Sequence, residues 1–320
     1  MNKKCKFLGV QGKSLNVYSQ FTFEEFWKYI NPREQLVFEL RIKTADPKEK
    51  AFTYIRDCAT KLDLPYHYTG VFCQTTDEYQ KVCAYAYRNK LTLYLSINPK
   101  RKSIHGNDNL NGPSFNGKMQ SDQKITHILV DFDPKGELKK SKKQQSEEVC
   151  YRIAKKFLED HPNIKNYCMI CSGNGIQLRI KLDHEIVLPK PTYDENDKFI
   201  KTVDWMVYGR LLKVALEEEF KKYDTPNVEV DTSSLELARV GRSPFSRNWK
   251  NMENPKFAGV IEICSDEENT GLYDHIMSFY DQTKRIIENQ DRYSSEVAEE
   301  LVCDERTIWQ NKFVQMMLKQ

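Results

Sequence analysis

The chain has 320 residues, 39% hydrophobic and 30% charged, with a formal net charge of +3. That length suits one large domain or two modest ones, and so small a net charge leaves any affinity for nucleic acid to local patches. No apolar run approaches the ~20 residues of a membrane span, the N-terminal residues lead into no apolar leader segment, and nine scattered cysteines suit a reducing cytoplasm better than a disulfide scaffold. The expectation is a cytoplasmic protein with no membrane partner.

In chain order, an aromatic helix is expected from Phe23 to Ile30. Leu36, Phe38, Leu40 and Ile42 then alternate with Val37, Glu39 and Arg41 as in a strand. Phe52, Ile55, Ala59 and Leu62 recur at helical spacing, so 49–62 reads as an amphipathic helix. A strand at Gly70–Cys73, a helix over 77–89 and a strand at Leu91–Ile97 complete an α/β module. From Asn98 to Gln123 the composition turns to Gly, Asn, Pro, Ser and Lys, which predicts a long exposed loop.

A second series follows. Strand 125–132 leads into a Lys-rich loop (Lys135, Lys139, Lys140, Lys142, Lys143) and a helix capped near Ser146, with Val149, Ile153 and Phe157 on one face. Strand 166–171, the turn Ser172-Gly173-Asn174-Gly175, strand 176–182, helix 203–222 and a strand ending at Asp231 complete the order βαββαβ. That order is the ferredoxin-like or RRM-like unit, whose first and fourth strands are neighbours. One more strand is expected at 258–263, then helices Leu272–Asn289 and Ser295–Leu318. The expected class is α/β (α+β): an N-terminal α/β module (1–120) packed on an RRM-like unit (121–270), with C-terminal helices (271–320).

Two stretches carry chemistry. In Ile128-Leu129-Val130-Asp131-Phe132-Asp133, residues i and i+2 of a strand share a face, so Asp131 and Asp133 stand side by side. Like charges held this way call for a cation, and Mg²⁺ or Mn²⁺ prefers such oxygen ligands. Because the first and fourth strands are adjacent, Asp231 is placed to join the pair. The second stretch runs from Asp231 to Lys250, where Arg239, Arg242, Arg247 and Lys250 are interleaved with Pro, Ser, Asn and Trp and no acid follows Glu236. Guanidinium forks and a lysine in such company suit phosphate. Glycines of the turn 172–175 serve a hairpin and also let backbone amides approach an anion, with Gln177 just beyond. Cys168-x-x-Cys171 lies in a strand with no second pair, which suits two core cysteines rather than zinc.

Together these stretches resemble motifs I, II and III of the archaeo-eukaryotic primases, and above all the primase-polymerases of plasmids, phages and CRISPR-associated loci. Motif I corresponds to Asp131-Phe-Asp133, motif II to Ser172-Gly173-Asn174-Gly175-Ile-Gln177, and motif III to Asp231 with Arg239, Arg242, Asn248 and Lys250. Order and spacing match across about 120–260, and Asn98-Pro99-Lys100-Arg101 resembles an element that precedes motif I. The resemblance implies two Mg²⁺ or Mn²⁺ ions on Asp131, Asp133 and Asp231; that no zinc is expected rests on the lone Cys168-x-x-Cys171 pair. It also implies a nucleotide held by the turn, Gln177, Arg239, Arg242, Asn248 and Lys250, and dNTPs or NTPs joined on a single-stranded DNA template and primer. Asn98, Lys100, Arg101, Lys139 and Lys140, in basic stretches flanking this site, are the expected template contacts, and a helicase or CRISPR adaptation proteins are the partners the resemblance suggests. The family usually has His where Gln177 stands. The readings that compete are a catalytically silent RRM-like nucleic-acid-binding module and another two-metal nucleotidyl enzyme, such as a cyclase.

Overall fold

The computed structural model describes residues 21–46, 49–100, 124–140, 143–190, 192–196, 199–200, 202–237, 239–250, 252–253, 255–265 and 267–290. The helix expected at Ser295–Leu318, the residues Arg101 and Lys142, and all but the first three residues of the loop 98–123 lie outside them.

In the first half, helix α1 (Phe23–Ile30) starts at a capping box, in which the Thr22 hydroxyl accepts from the Glu25 amide and the Glu25 carboxylate accepts from Thr22. Strand β1 (Phe38–Lys43), helix α2 (Ala51–Leu62), strand β2 (Gly70–Cys73), helix α3 (Thr76–Arg88) and strand β3 (Thr92–Ser96) follow. A second capping box, Thr75 with Glu78, sets the start of α3. The alternation read in the sequence decides which face is buried. Phe38, Leu40, Ile42, Leu93 and Leu95 enter a core with Phe26, Trp27, Ile55 and Tyr79, while Arg41, Lys43 and Tyr94 stand on the opposite face.

The second half runs through strand β4 (Lys124–Pro134), helices α4 (Gly136–Lys140) and α5 (Lys143–Asp160), and strands β5 (Tyr167–Cys171) and β6 (Ile176–Val187). A short hairpin, β7 (Thr192–Tyr193) and β8 (Phe199–Ile200), precedes helix α6 (Val203–Lys221) and strand β9 (Val228–Val230). Strands β10 (Val240–Arg242), β11 (Ser246–Asn248) and β12 (Lys256–Cys264) and helix α7 (Leu272–Gln290) complete it. One antiparallel sheet has the order β11-β12-β5-β6-β4-β9, the other β10-β3-β1-β2. Within the first, β4, β5, β6 and β9 realise the expected βαββαβ unit, with β4 and β9 adjacent. Helices α5, α6 and α7 cover one face of this sheet through Ile128, Val130, Phe132, Phe157, Leu211 and Ile276. Its other face meets the N-terminal core through Cys168, Ile170 and Val260.

Two local expectations are corrected, and one segment gains strands. The Lys-rich stretch 135–143 is no continuous loop, because Gly136–Lys140 closes a short helix. Helix α5 begins at Lys143, so Ser146 lies inside it; its buried hydroxyl donates to the Asn174 carbonyl (3.3 Å) instead of capping. The basic segment after Asp231, to which the sequence assigns no element, contributes β10 to one sheet and β11 to the other. Three-residue strands are too short for an alternating pattern to show in sequence. No helix among the described residues is long and apolar enough to cross a membrane.

Candidate active site

The site is built on the end of β4. Ile128, Val130 and Phe132 face the helices, so Leu129, Asp131 and Asp133 face the other way, toward β10. Asp131 is paired in register with Gln177 on β6, and Asp133 with Glu229 on β9. The Asp231 amide donates to the Asp131 carbonyl (2.9 Å), which settles the register that sequence left open. Glu229-Val230-Asp231 therefore repeats the acid-x-acid alternation of Asp131-Phe132-Asp133 on the neighbouring strand. Sequence reading passed over Glu229, although its spacing from Asp231 was the available signal.

Asp131 and Asp133 are half-buried. Burial pushes the Asp131 carboxyl well above the usual carboxylate range, Asp133 and Asp231 push it further, and the Gln177 hydrogen bond and Arg242 oppose the rise. Asp133 is raised likewise by burial, Asp231 and Glu229, and eased by Lys139 and Arg242. One oxygen of Asp131 accepts from the Gln177 amide nitrogen (2.8 Å), while Oδ1 is buried with no hydrogen-bond partner. Two strained carboxylates and an orphaned oxygen suit a divalent cation of the hard, oxygen-seeking kind. The donors are not already drawn into a cage: among the described residues no three His, Cys, Asp or Glu side chains stand at metal-holding spacing. The Asp231 side chain accepts from the Ser233 amide (2.9 Å) and caps a 3-10 turn, Thr232–Leu235.

Gln177 joins the carboxylates to the basic strand. Its nitrogen donates to Asp131, and its oxygen accepts the Arg242 backbone N–H at 2.8 Å. Gly241 lets β10 come this near, since a Cβ there would lie 3.0 Å from the Gln177 oxygen. Arg242 lays its guanidinium over the Tyr94 ring, 4.2 Å from the centroid, and its Nε and Nη1 are buried without partners. A cation so placed keeps hydrogen-bond capacity for an anion. In register Arg242 pairs with Tyr94 and Tyr94 with Arg41; Lys43 stands 4.8 Å from the same ring. These three residues were not singled out in sequence, because only the pairing of β1, β3 and β10 aligns them.

The turn 172–175 closes as the expected hairpin, the Ser172 amide donating to the Gly175 carbonyl (3.0 Å) and Gly173 adopting a φ of +93°. Gly175 abuts β4: a Cβ there would fall 2.2 Å from the Phe132 carbonyl oxygen and 2.9 Å from Asp133 Oδ1. Asn174 accepts from Lys256.

The remaining expected residues scatter. Arg239 is exposed, donating to the Ser233 carbonyl (2.9 Å) and pairing with Glu236 (3.0 Å). Asn248 is buried and accepts the backbone N–H of Lys250, which is exposed. Asn98 and Lys100, expected on an exposed loop, are interior. Asn98 accepts from the amides of Thr126 (2.8 Å) and His127 (3.1 Å), and Lys100 stands 3.9 Å from buried Glu39. Lys139 is exposed; the side chain of Lys140 lies outside the described residues. Cys168 and Cys171 lie in opposite cores, on the two faces of β5.

No family model matches the chain, and no curated protein sequence matches it. Among solved structures it is similar to the crystal structure of the primase RepB′, with a TM-score of 0.43 and 11% identity over 93% of this chain and 74% of that one. It is also similar to the catalytic domain of RepB′ in complex with initiator DNA, with a TM-score of 0.42 and 10% identity over 85% of this chain and 97% of that one. Likenesses this distant assign no function to the residues described above.

Proposed function

We propose that this chain is a primase-type nucleotidyltransferase, synthesising or extending primers from dNTPs or NTPs on a single-stranded DNA template. One observation carries the reading. A half-buried carboxylate pair with an orphaned oxygen is tied, through Gln177, to a strand whose arginine keeps buried, unpartnered N–H groups. Arg242 eases the raised pKa of both acids, yet its Nε and Nη1 bond to neither.

In this reading Asp131, Asp133 and Asp231 hold two Mg²⁺ or Mn²⁺ ions. When bound, such ions stabilise charge on the attacking and leaving oxygens of an in-line phosphoryl displacement. The chain's own groups bind and orient. Arg242 grips the triphosphate, its angle fixed by Tyr94; Arg239, exposed beside the Asp231 turn, is a second phosphate contact. Gln177, expected to touch the nucleotide, serves here to hold Asp131 and β10 in place. The turn 172–175 sets the Gly175 backbone close beside Asp133.

The test is incorporation of labelled dNTPs or NTPs on a single-stranded template, with and without primer, in Mg²⁺ and in Mn²⁺. Incorporation that disappears in the Asp131→Asn, Asp133→Asn double variant is the expected result. No incorporation under any of these conditions would leave a nucleic-acid-binding module.

A further inference from the structure

Two short runs of similar composition, far apart in the chain, meet on the surface. Tyr87-Arg88-Asn89-Lys90 ends α3, and Arg247-Asn248-Trp249-Lys250 ends β11. Each has one aromatic, one asparagine, two cations and no acid. The Arg247 guanidinium lies 5.3 Å from the centroid of the Tyr87 ring, and the Trp249 ring lies 6.2 Å from it. Tyr87 is 58% exposed, and Arg88, Lys90 and Lys250 are exposed around it.

Some surface lysines elsewhere are paired with a neighbouring acid. Lys61 pairs with Asp57 and Lys81 with Asp77, each one helical turn apart. Arg88, Lys90, Arg247 and Lys250 take part in no ion pair among the described residues. A face that merely keeps the protein in solution mixes signs; this one leaves four cations uncompensated around a bare ring. Cations that track a phosphate backbone beside a π-face on which a base stacks are what single-stranded nucleic acid requires. Continuity favours the same occupant. The Trp249 amide donates to the Thr92 hydroxyl (2.9 Å), and Thr92 lies two residues along β3 from Tyr94, over which Arg242 sits.

We infer that Tyr87, stacked by Arg247 and ringed by Arg88, Lys90 and Lys250, is a docking platform for single-stranded nucleic acid, distinct from the carboxylate cleft. It adds a strand contact to the proposed function but does not require catalysis. Tyr87 supplies a stacking face to one base, and Arg247 both fixes the ring and contacts a phosphate. Arg88 and Lys90 follow the backbone on either side.

The experiment is fluorescence anisotropy of a labelled oligo-dT strand, in chelator and without nucleotide, with Tyr87→Ala, Tyr87→Phe and Arg247→Ala. Tyr87→Ala is expected to weaken binding roughly tenfold, as for loss of one base–aromatic stack, and Tyr87→Phe to retain it. Arg247→Ala should lower the salt slope by about 0.7, as for one single-strand phosphate contact. Heparin, a probe of charge alone, should bind wild type and Tyr87→Ala alike. Unchanged oligo-dT binding by Tyr87→Ala, an equal loss toward heparin, or a Phe variant as weak as Ala would each overturn the assignment. Repeating the series in the Asp131→Asn, Asp133→Asn protein separates the two proposals. A Tyr87 effect that persists there upholds the platform whether or not wild type incorporates nucleotides.

Discussion

Neutralising Asp131 should make the metal-free protein more stable at alkaline pH. Folding raises the pKa of this carboxyl, first by burial and then through Asp133 and Asp231. Such a group binds its proton more tightly in the native state. Its contribution is full below the ordinary carboxylate range and is lost as pH rises through the native pKa. Asp131→Asn removes that loss. Residues i and i+2 of a strand stand about 6.7 Å apart, and unit charges at that distance repel by about 2.5 kcal/mol at an effective dielectric constant of 20. Against this, Gln177 trades a charge-assisted hydrogen bond for a neutral one, a loss of about 1 kcal/mol. The net gain of about 1–2 kcal/mol corresponds to a Tm higher by roughly 2–6 °C. Thermal unfolding in chelator from pH 5 to 9 measures it: the variant's lead should widen as pH rises. Adding Mn²⁺ should reverse the order, since a cation at 100 times its Kd stabilises wild type by about 2.7 kcal/mol and Asp131→Asn by less. A variant that melts below wild type at pH 8 in chelator, or a gap independent of pH, would refute the coupling of the three acids.

Arg242→Ala should raise the apparent KM for nucleotide by about one to two orders of magnitude, the worth of a charged hydrogen bond at roughly 1.5–3 kcal/mol. Oligo-dT affinity without nucleotide should barely move, and steady-state kinetics beside anisotropy distinguishes the two. Gln177→Leu leaves an Asp131 oxygen and the Arg242 N–H without partners at once, and chemical denaturation should show a loss of about 2–4 kcal/mol. Gln177→His should reproduce part of that loss, because a ring cannot occupy both the donor and the acceptor position of the amide. Stability at or above wild type would mean that an imidazole fits this site too.

Period and spacing were legible because they are local. The alternation through Phe38, Leu40 and Ile42 and the order βαββαβ specify elements and faces without reference to the rest of the chain. Asp131 and Asp133 share a face by the geometry of any strand, so their pairing needed no tertiary information. Register did need it. Only the ladder sets Glu229 opposite Asp133 and the Asp231 amide on the Asp131 carbonyl, because sliding β9 by one residue would turn both acids to the other face. The basic segment shows the limit most plainly. Its cations look alike in sequence, yet β10 sends Arg242 to Tyr94, β11 sends Arg247 to Tyr87, and Glu236 claims Arg239. Asn98 and Lys100 read as exposed because polar residues usually are, and only the docking of the segment after β3 onto Thr126 and His127 of β4 and Glu39 of β1 makes them interior clamps. Local pattern alone placed the longer elements and set Asp131 beside Asp133. Which cation faces those acids was decided by the tertiary fold, because β10 joins β3 across some 150 residues while β11 joins the nearby β12, a choice of sheet edge that the composition of neither three-residue strand sets.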